Sequence, residues 1–496
     1  MRAVNKVFLG VTVIALQIIW PMTAHAVTYT VNTLSDSSGA ANCSLRDAIN
    51  AANGKPVSGS TCTTAGTGGD RIEFALGGTV ALSASLPNIT DSDLTISGPQ
   101  NVPGITIDGQ DAVQLFHVAK RATLTLEFLT LSGGNAGYGG AIANEGTLSV
   151  SYSTLAENHA SDGGGAIFNN NQLIVTNSTF SANKTSGRFI VFGGAIFNGD
   201  KSAFVTVDAV SKITNVTFSD NVADPGDSLQ RVLPGAIYTS SGKVYIKGSL
   251  FSGNTQKNCL QVRNGAIIDG GFNIADDNTC QFITGSNSVV VDSVGLDPSG
   301  LQNHGGPTQT IALANGSPAI HAIPILACTD QSLPSKPIHF DQRGYSRTPE
   351  GSSSCDAGAF ESDGVVPNAP MCDDAAASDP DLEWSVPQHY TKETVVGVIN
   401  PNGPYSITFT AASQDEPVTG TFGRCASVYL QGSQVEVQQH ASHKGQGRLY
   451  RLSFTATDNQ THGTCKGVVD VCVDRKRNLG KCVDNGLFYD STVCPN

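Results

Sequence analysis

The sequence predicts an all-β protein: a parallel β-helix with an N-terminal capping helix, followed by a small β-sandwich. Two repeated motifs predict the β-helix. The tripeptide Gly-Ala-Ile begins at Gly140, Gly165, Gly194, Gly235 and Gly265. An apolar residue is followed three positions later by Asn in four pairs: Leu155 and Asn158, Phe180 and Asn183, Phe218 and Asn221, Phe251 and Asn254. Internal repeats with a period of roughly 20 to 50 residues indicate stacked supersecondary units.

The spacing within the repeat separates a regular part of each coil from a variable part. From each Gly to the following Asn the chain takes 18, 18, 27 and 19 residues. From Asn to the next Gly, beginning at Asn135, it takes 5, 7, 11, 14 and 11 residues. Insertions on one face of a repeat protein often form its binding surface. We therefore expect the loops 184–193, 222–234 and 255–264 to contain the functional site.

The residues of the repeat suit a stacked β structure. Segments such as Leu173-Ile-Val-Thr and Lys243-Val-Tyr-Ile are β-branched or aromatic, as strands prefer. Each Ile of the tripeptide should lie about 4.8 Å from its copy in the next coil. The repeated Asn residues predict either a ladder of side-chain amides along the stack or simple support for turns.

Residues 1–26 are typical of a secretory signal peptide. Arg2 and Lys6 precede an apolar run from Val7 to Trp20, and small residues at Ala24-His-Ala26 suit cleavage. The run is too short to span a bilayer comfortably. The sequence therefore predicts a secreted protein, extracellular, on the cell surface or in the periplasm, with no transmembrane segment in the mature chain.

The 12 cysteines all follow the signal peptide, as expected for disulfide formation in an oxidising compartment. No Cys-x-x-Cys pair is present, which argues against a structural zinc site. The six cysteines from Cys372 onward have no partners that the sequence can assign. Sequence proximity predicts three local disulfides: Cys43 with Cys62, Cys259 with Cys280, and Cys328 with Cys355.

The charge balance restricts the possible partners. Without Arg2 and Lys6 the chain has 29 − 2 = 27 basic side chains against 42 acidic ones, a net charge of −15. Such a surface repels nucleic acid and anionic membranes. It also disfavours acidic polysaccharides unless calcium bridges the two charges.

The segment 42–54 is predicted to be a helix. Ser44 is a suitable N-cap, Asp47 follows three residues later as in a capping box, and Gly54 can end the helix. Because a β-helix exposes unpaired strand edges at its ends, we expect this helix to cap the N-terminal end.

Several motifs resemble those of known families. Cys43-Ser-Leu-Arg-Asp-Ala-Ile49 resembles the CSLREA motif near the N-termini of secreted bacterial β-helix proteins. The motifs Asn303-His-Gly-Gly-Pro-Thr-Gln-Thr310, Asp341-Gln-Arg-Gly344 and Cys355-Asp-Ala-Gly-Ala-Phe-Glu361 resemble the choice-of-anchor Q segment. The repeats are similar to those of polymorphic outer membrane proteins. Over residues 27–362 the resemblance implies an exported, right-handed, pectin-lyase-like β-helix with a closing segment.

The C-terminal region shows a different pattern. Residues 363–371, with two prolines in a polar stretch, predict a linker. Strand patterns at 405–410, 435–439, 448–456 and 467–473 predict an antiparallel sandwich over 372–496. Motifs such as Gln414-Asp-Glu-Pro417 resemble an immunoglobulin-like module of secreted bacterial proteins, which implies a spacer or binding role.

The leading hypothesis is a non-catalytic, adhesion-type protein that recognises a glycan or another surface polymer through the loop edge. The alternative is a polysaccharide lyase or glycoside hydrolase acting at the same edge, because β-helices also carry such enzymes. Hydrolysis needs two facing carboxylates, and a lyase needs a base beside a uronate. Candidates for hydrolysis are Asp224 and Asp227, and His159 offers a base at neutral pH. Candidates for a lyase base are Lys184, Arg188 and Arg231.

Calcium is the one cofactor that the sequence suggests. Calcium prefers six to eight oxygen ligands, often carboxylates on loops. Acidic residues cluster after the linker and recur in later loops of the C-terminal region. An acidic, solvated segment explains the same pattern. The candidate ligands are Asp379, Asp381, Glu383, Asp415 and Asp458.

Overall fold

The computed structural model describes most of the chain after residue 26. The described residues are 27–39, 41–65, 69–90, 93–100, 103–187, 191–201, 207–226, 233–283, 285–348, 352–373, 375–378, 381–383, 390–417, 426–439, 447–474, 482, 484, 486 and 488–493. The predicted signal peptide 1–26 lies outside them. No helix in the described part of the chain is long and apolar enough to cross a membrane.

The first part of the chain forms a parallel β-helix with three sheets, which confirms the predicted fold class. Sheet 1 consists of Thr28–Val31, Asp70–Phe74, Leu94–Ser97, Phe116–Val118, Thr123–Glu127, Ile142–Asn144, Thr147–Ser151, Ile167–Asn169, Gln172–Thr176, Ile196–Asn198, Val210–Thr214, Ile237–Lys247 and Cys259–Asp269. Sheet 2 consists of Gly78–Ala81, Ile105–Asp108, Leu129–Ser132, Thr154–Ala156, Thr179–Ser181, Thr217–Ser219, Leu250–Ser252, Ile274–Ala275 and Val289–Val290. Sheet 3 consists of Asn135–Tyr138, His159–Gly163, Lys184–Ser186 and Val222–Asp224.

Apolar side chains of equivalent strands stack inside the β-helix. The Ile residues of four Gly-Ala-Ile tripeptides are paired in register between neighbouring coils. Rings from sheet 2 stack along the same axis, with centroids 5.0 Å apart between Phe180 and Phe218 and 4.9 Å apart between Phe218 and Phe251. These side chains are fully buried. Burial of a stacked apolar column is the main favourable contribution to such a fold.

The fifth Gly-Ala-Ile, at Gly265, is not a copy of the other four, so that part of the predicted repeat is wrong. Gly265 is paired with Gly242, and Cys259 stands beside Ile237 where the repeat predicts an Ile. The physical reason is that Ile237–Lys247 and Cys259–Asp269 are long strands that pass through two strand positions of sheet 1. The tripeptide falls in the second of these positions.

The predicted amide ladder is present. Each side-chain Nδ2 donates to the next Oδ1 at 2.9 Å along Asn158, Asn183, Asn221 and Asn254. A second ladder, with distances of 2.7 and 2.8 Å, follows the tripeptide at Asn144, Asn169 and Asn198. All but Asn254 are fully buried. Each amide therefore satisfies a buried polar group of the coil beside it.

The N-terminal helix has the predicted position and cap. It spans Leu45–Ala52, and the Ser44 side chain accepts a hydrogen bond of 3.1 Å from the backbone N–H of Asp47. Leu45 and Ile49 are buried in the β-helix core. The helix packs beside the first two strands of sheet 1. It therefore covers the apolar end of the stack.

Described residues of the segment 296–361 cover part of the outer face of sheet 2. Thr179 Oγ1 donates to Gln342 Oε1 at 2.7 Å, and Gln342 Nε2 donates to Thr154 Oγ1 at 2.8 Å. One coil further, the backbone N–H of Ala359 donates to Thr217 Oγ1 at 3.1 Å. These threonines occupy equivalent positions of successive strands. The outer face of these three strands of sheet 2 is therefore occupied by the chain itself. This segment contains the short elements Ile323–Pro324, Ile325–Ala327 (a 3₁₀ turn) and Ser354–Cys355.

The C-terminal region is a β module with its own apolar core, which includes Val435, Tyr450 and Phe454. The predicted linker is held in place, because Asn402 Nδ2 donates to Pro367 O and Thr461 Oγ1 donates to Asn368 O, both at 2.7 Å. The domain boundary stays a prediction. Its strands are Ala376–Ala377, Asp381–Glu383, Tyr390–Glu393, Val395–Val396, Tyr405–Gln414, Val428–Gln431, Gln434–Gln438, Arg448–Asp458, Thr464–Asp474 and Tyr489–Asp490.

Both the first part of the chain and the C-terminal module contain disulfide bonds. The three pairs expected from the sequence, 43–62, 259–280 and 328–355, all lie at bonding distance. The structure adds Cys372 with Cys465 and Cys472 with Cys482 in the C-terminal module.

Candidate functional site

Sheet 3 brings together three of the six residues predicted for the loop edge: His159, Lys184 and Asp224. The other three, Arg188, Asp227 and Arg231, lie outside the described residues. The predicted loops 184–193 and 222–234 begin with strands of sheet 3, and the predicted loop 255–264 lies largely in the strand Cys259–Asp269 of sheet 1, so these loop assignments were wrong in part. The sequence also did not show which side chains meet on sheet 3.

The strands of sheet 3 place polar side chains in rows that run along the β-helix axis. Asn135, His159 and Lys184 are paired in register on three successive strands. Ser186 lies two residues after Lys184 and is paired with Asp224 of the next strand. Since side chains alternate across a strand, Lys184 and Ser186 face outward, and Thr185 between them is buried. Neighbouring members of a row are about 4.8 Å apart.

Lys184 and Asp224 form an ion pair on this face, with 3.4 Å between Nζ and Oδ2. Both side chains are nearly half exposed, at 45% and 48%. The pKa of Asp224 lies below its usual value because the backbone N–H of Gly226 donates to its carboxylate and Lys184 lies beside it. A lyase base in this position would have to be an unprotonated amine, whereas the ion pair engages Lys184 as an ammonium group.

His159 lies between two polar side chains of neighbouring coils. Its Nδ1 is 3.2 Å from Asn135 Oδ1, and its Nε2 is 2.7 Å from Ser186 Oγ. Burial, and then the positive charge of Lys184, lower the pKa of His159, while Asp111 acts in the opposite direction. The lowered pKa favours the neutral form of the imidazole.

The Asn135 amide fixes the tautomer of His159. Asn135 Nδ2 donates to the backbone carbonyl of Asp111 at 2.7 Å, so Oδ1 is the atom that faces the imidazole. Because Oδ1 can only accept a hydrogen bond, Nδ1 of His159 must carry the proton. Nε2 then has the free lone pair and accepts the hydrogen bond from Ser186 Oγ.

A buried aromatic cluster, separate from the β-helix core, borders sheet 3. Phe168, Phe197 and Tyr238 follow the tripeptide Ile in successive coils, with ring centroids 5.3 and 5.4 Å apart. Tyr138 and Phe192 cover this stack and are themselves only partly buried. Burial, followed by the charges of Asp162 and Asp200, raises the pKa of Tyr138. The repeated Gly-Ala-Ile-Phe-Asn in two coils was the sequence signal for this cluster.

The calcium candidates of the C-terminal module do not form one site. Asp415 follows the C-terminal end of Tyr405–Gln414, whereas Asp458 is paired with Tyr405 at the other end of that strand. Asp379 lies outside the described residues, and only the backbone of Asp381 and Glu383 is described. Among side chains that the structure describes, no three His, Cys, Asp or Glu converge as metal ligands.

Asp415 and Asp458 each have protein partners. Asp415 accepts a hydrogen bond of 2.9 Å from the backbone N–H of Leu449, and burial raises its pKa. Asp458 accepts from the N–H groups of Gln460 and Thr461 at 2.6 and 2.9 Å. Its pKa is lowered to about 2, because these bonds outweigh the effect of burial. Both carboxylates therefore have clear structural roles.

The fold and the site together define a disulfide-bonded, all-β protein whose parallel β-helix exposes an ordered polar face on sheet 3. Comparisons of the chain with family models, with curated proteins and with solved structures found no match.

Proposed function

We propose that this is an exported extracellular or cell-surface protein that binds a glycan or another surface polymer along sheet 3. The observation that supports the proposal is the in-register polar row on an outward-facing sheet, formed by Asn135, His159 and Lys184. On sheet 2, by contrast, the outer face of the strands that contain Thr179 and Thr217 is covered by described residues of the segment 296–361.

An extended polymer fits this face because the β-helix repeats its hydrogen-bonding groups at a constant interval. A chain that runs along the axis meets a donor or acceptor at each coil, about every 4.8 Å. The partly buried rings of Tyr138 and Phe192 add an apolar border beside the polar rows. Sites for small polar ligands commonly combine apolar walls with a few well-placed polar groups.

The charges favour an uncharged polymer. Lys184 is paired with Asp224, so the face contributes little net positive charge. The net charge of −15 calculated for the chain without Arg2 and Lys6 disfavours a strongly acidic ligand. The five disulfides among the described residues support the exported location, because such bonds persist in oxidising compartments. The resemblance of residues 43–49 to secreted β-helix proteins agrees with that location.

A pair of matched substitutions tests the binding face. Ser161 is exposed on the His159–Gly163 strand of sheet 3, and Ser149 faces outward on the Thr147–Ser151 strand of sheet 1. The purified chain would be titrated with a panel of neutral polysaccharides. We expect Ser161→Arg to weaken binding at least about tenfold, by about 1.4 kcal/mol, and Ser149→Arg to leave it unchanged.

Two results would overturn the proposal: no polymer of the panel binds, or Ser161→Arg binds as tightly as the unmodified chain. The lyase alternative is tested with the same material. Ultraviolet absorbance from unsaturated uronate ends, on incubation with polyuronates and calcium, would favour a lyase over a binding protein.

A further inference from the structure

We propose that Ser186, His159 and Asn135 form a catalytic site for the hydrolysis of small carboxylic esters, such as acyl groups carried on the hydroxyls of a larger molecule. The three side chains come from three successive strands of sheet 3. This activity goes beyond the proposed polymer binding. It is tested with a small soluble ester, so the test does not depend on whether a polymer binds.

The geometry is that of a nucleophile, a base and a group that orients the base. Ser186 Oγ lies 2.7 Å from His159 Nε2, within the range of a hydroxyl hydrogen bond. His159 Nδ1 lies 3.2 Å from Asn135 Oδ1 on the other side of the ring. Such sites are recognised by these roles and distances rather than by the order of residues, and Asn serves as the orienting group in known Cys-His-Asn sites.

The tautomer of His159 is the one that the reaction requires. Because Asn135 Nδ2 donates to Asp111 O at 2.7 Å, its Oδ1 accepts the proton on Nδ1. The lone pair of Nε2 therefore points to Ser186 and can remove its proton. The groups that face His159 also favour its neutral form, because burial and the Lys184 charge outweigh Asp111.

The Lys184 ammonium group lies beside the nucleophile in an ion pair with Asp224, which is itself in register with Ser186. Lys184 lies two residues before Ser186 on the same face of the strand, and in register with His159. The negative charge that develops on an attacked carbonyl oxygen is stabilised by a nearby cation. The exposed position of Ser161 on the neighbouring strand leaves the face open. An open face suits a short acyl group on a larger carrier better than a long alkyl chain.

The reaction balances with water as the only co-reactant. Ser186 Oγ bonds to the carbonyl carbon, its proton passes to His159 Nε2, and the carbonyl π electrons move to oxygen. On collapse the bond from carbon to the alcohol oxygen breaks, and that oxygen takes the proton from Nε2. Water then attacks the acyl-serine, gives a proton to Nε2, and the proton returns to Ser186 Oγ as the acid leaves.

The test combines covalent labelling with turnover. The chain, with its disulfides formed, would be treated with a fluorophosphonate, and the labelled peptide would be identified by mass spectrometry. We expect one modified residue, Ser186, and no label in Ser186→Ala. Hydrolysis of p-nitrophenyl acetate should fall about a hundredfold or more in Ser186→Ala and in His159→Gln. Ser149→Ala, at an outward-facing serine of sheet 1, is the matched control and should react like the unmodified chain.

Asn135 acts through His159, so its test is a pH profile. Asn135→Asp places a carboxylate beside Nδ1 and should move the rising limb of the rate to higher pH, whereas Asn135→Leu should lower the rate without that shift. Equal labelling and turnover of the unmodified chain and Ser186→Ala, with both folded by circular dichroism, would overturn the proposal. Polymer binding measured on Ser186→Ala separates this result from the proposed binding function, which should be retained.

Discussion

Replacement of Asn183 by Ala tests whether the buried amide ladder stabilises the β-helix. The Asn183 side chain makes four hydrogen bonds. Its Oδ1 accepts from the backbone N–H and the side-chain Nδ2 of Asn158, at 3.2 and 2.9 Å. Its Nδ2 donates to Asn221 Oδ1 at 2.9 Å and to Leu155 O at 2.8 Å. The side chain is fully buried, so water cannot replace these partners.

The expected loss follows from these four bonds. A buried hydrogen bond contributes about 1 kcal/mol net, and a buried group left without a partner costs about 1–3 kcal/mol. Asn221 Oδ1 retains the hydrogen bond from the backbone N–H of Asn183, and Asn158 Nδ2 retains its bond to Leu131 O. We therefore expect Asn183→Ala to lower the free energy of unfolding by about 4 kcal/mol.

The assay is equilibrium unfolding in guanidinium chloride, followed by far-ultraviolet circular dichroism and by a second probe that checks for a single transition. Asn278→Ala is the matched control, because Asn278 is an exposed Asn of the same part of the chain. The control should change the free energy by no more than about 0.5 kcal/mol. A loss below about 1 kcal/mol for Asn183→Ala, or one equal to the control, would refute the reasoning.

Two further predictions concern titrating groups. Lys184→Met should raise the pKa of His159, because it removes a nearby positive charge. The pKa would be measured by NMR titration, with Lys201→Met as the control. No rise in Lys184→Met, or an equal rise in the control, would contradict the prediction. Burial raises the pKa of Glu361 to about 8, against the opposing charge of Arg347. Between about pH 4.5 and pH 8 the folded chain therefore binds more protons there than the unfolded chain, and stability falls as pH rises. Glu361→Gln should reduce the decrease in the free energy of unfolding between these pH values, measured by unfolding at several pH values. An unchanged dependence on pH would contradict the prediction.

The architecture of the β-helix could be predicted because the same sequence pattern recurs in successive coils. Each coil contacts only its neighbours, so a structural requirement at one coil recurs in the next at a similar spacing. The Ile of the tripeptide and the Asn of the ladder recur in this way, and the structure stacks both. The local signals of the helix, Ser44 and Asp47, were equally direct, since a cap requires contacts only within one turn.

The prediction failed where one coil departed from the repeat. Gly265 has the right local sequence but is paired with Gly242, one strand position further along the coil. A tripeptide alone cannot specify its partner, because backbone pairing in a parallel sheet is set by the neighbouring coil.

The sequence alone determined the stacked fold and the capping helix, because these depend on spacing and on contacts close in the chain. Only the tertiary structure decided which polar side chains meet on sheet 3. Asn135, His159 and Ser186 are separated by 24 and 27 residues in the chain. They come together because parallel strands place equivalent positions of successive coils about 4.8 Å apart. The contacts of the segment 296–361 with sheet 2 have the same origin in long-range packing.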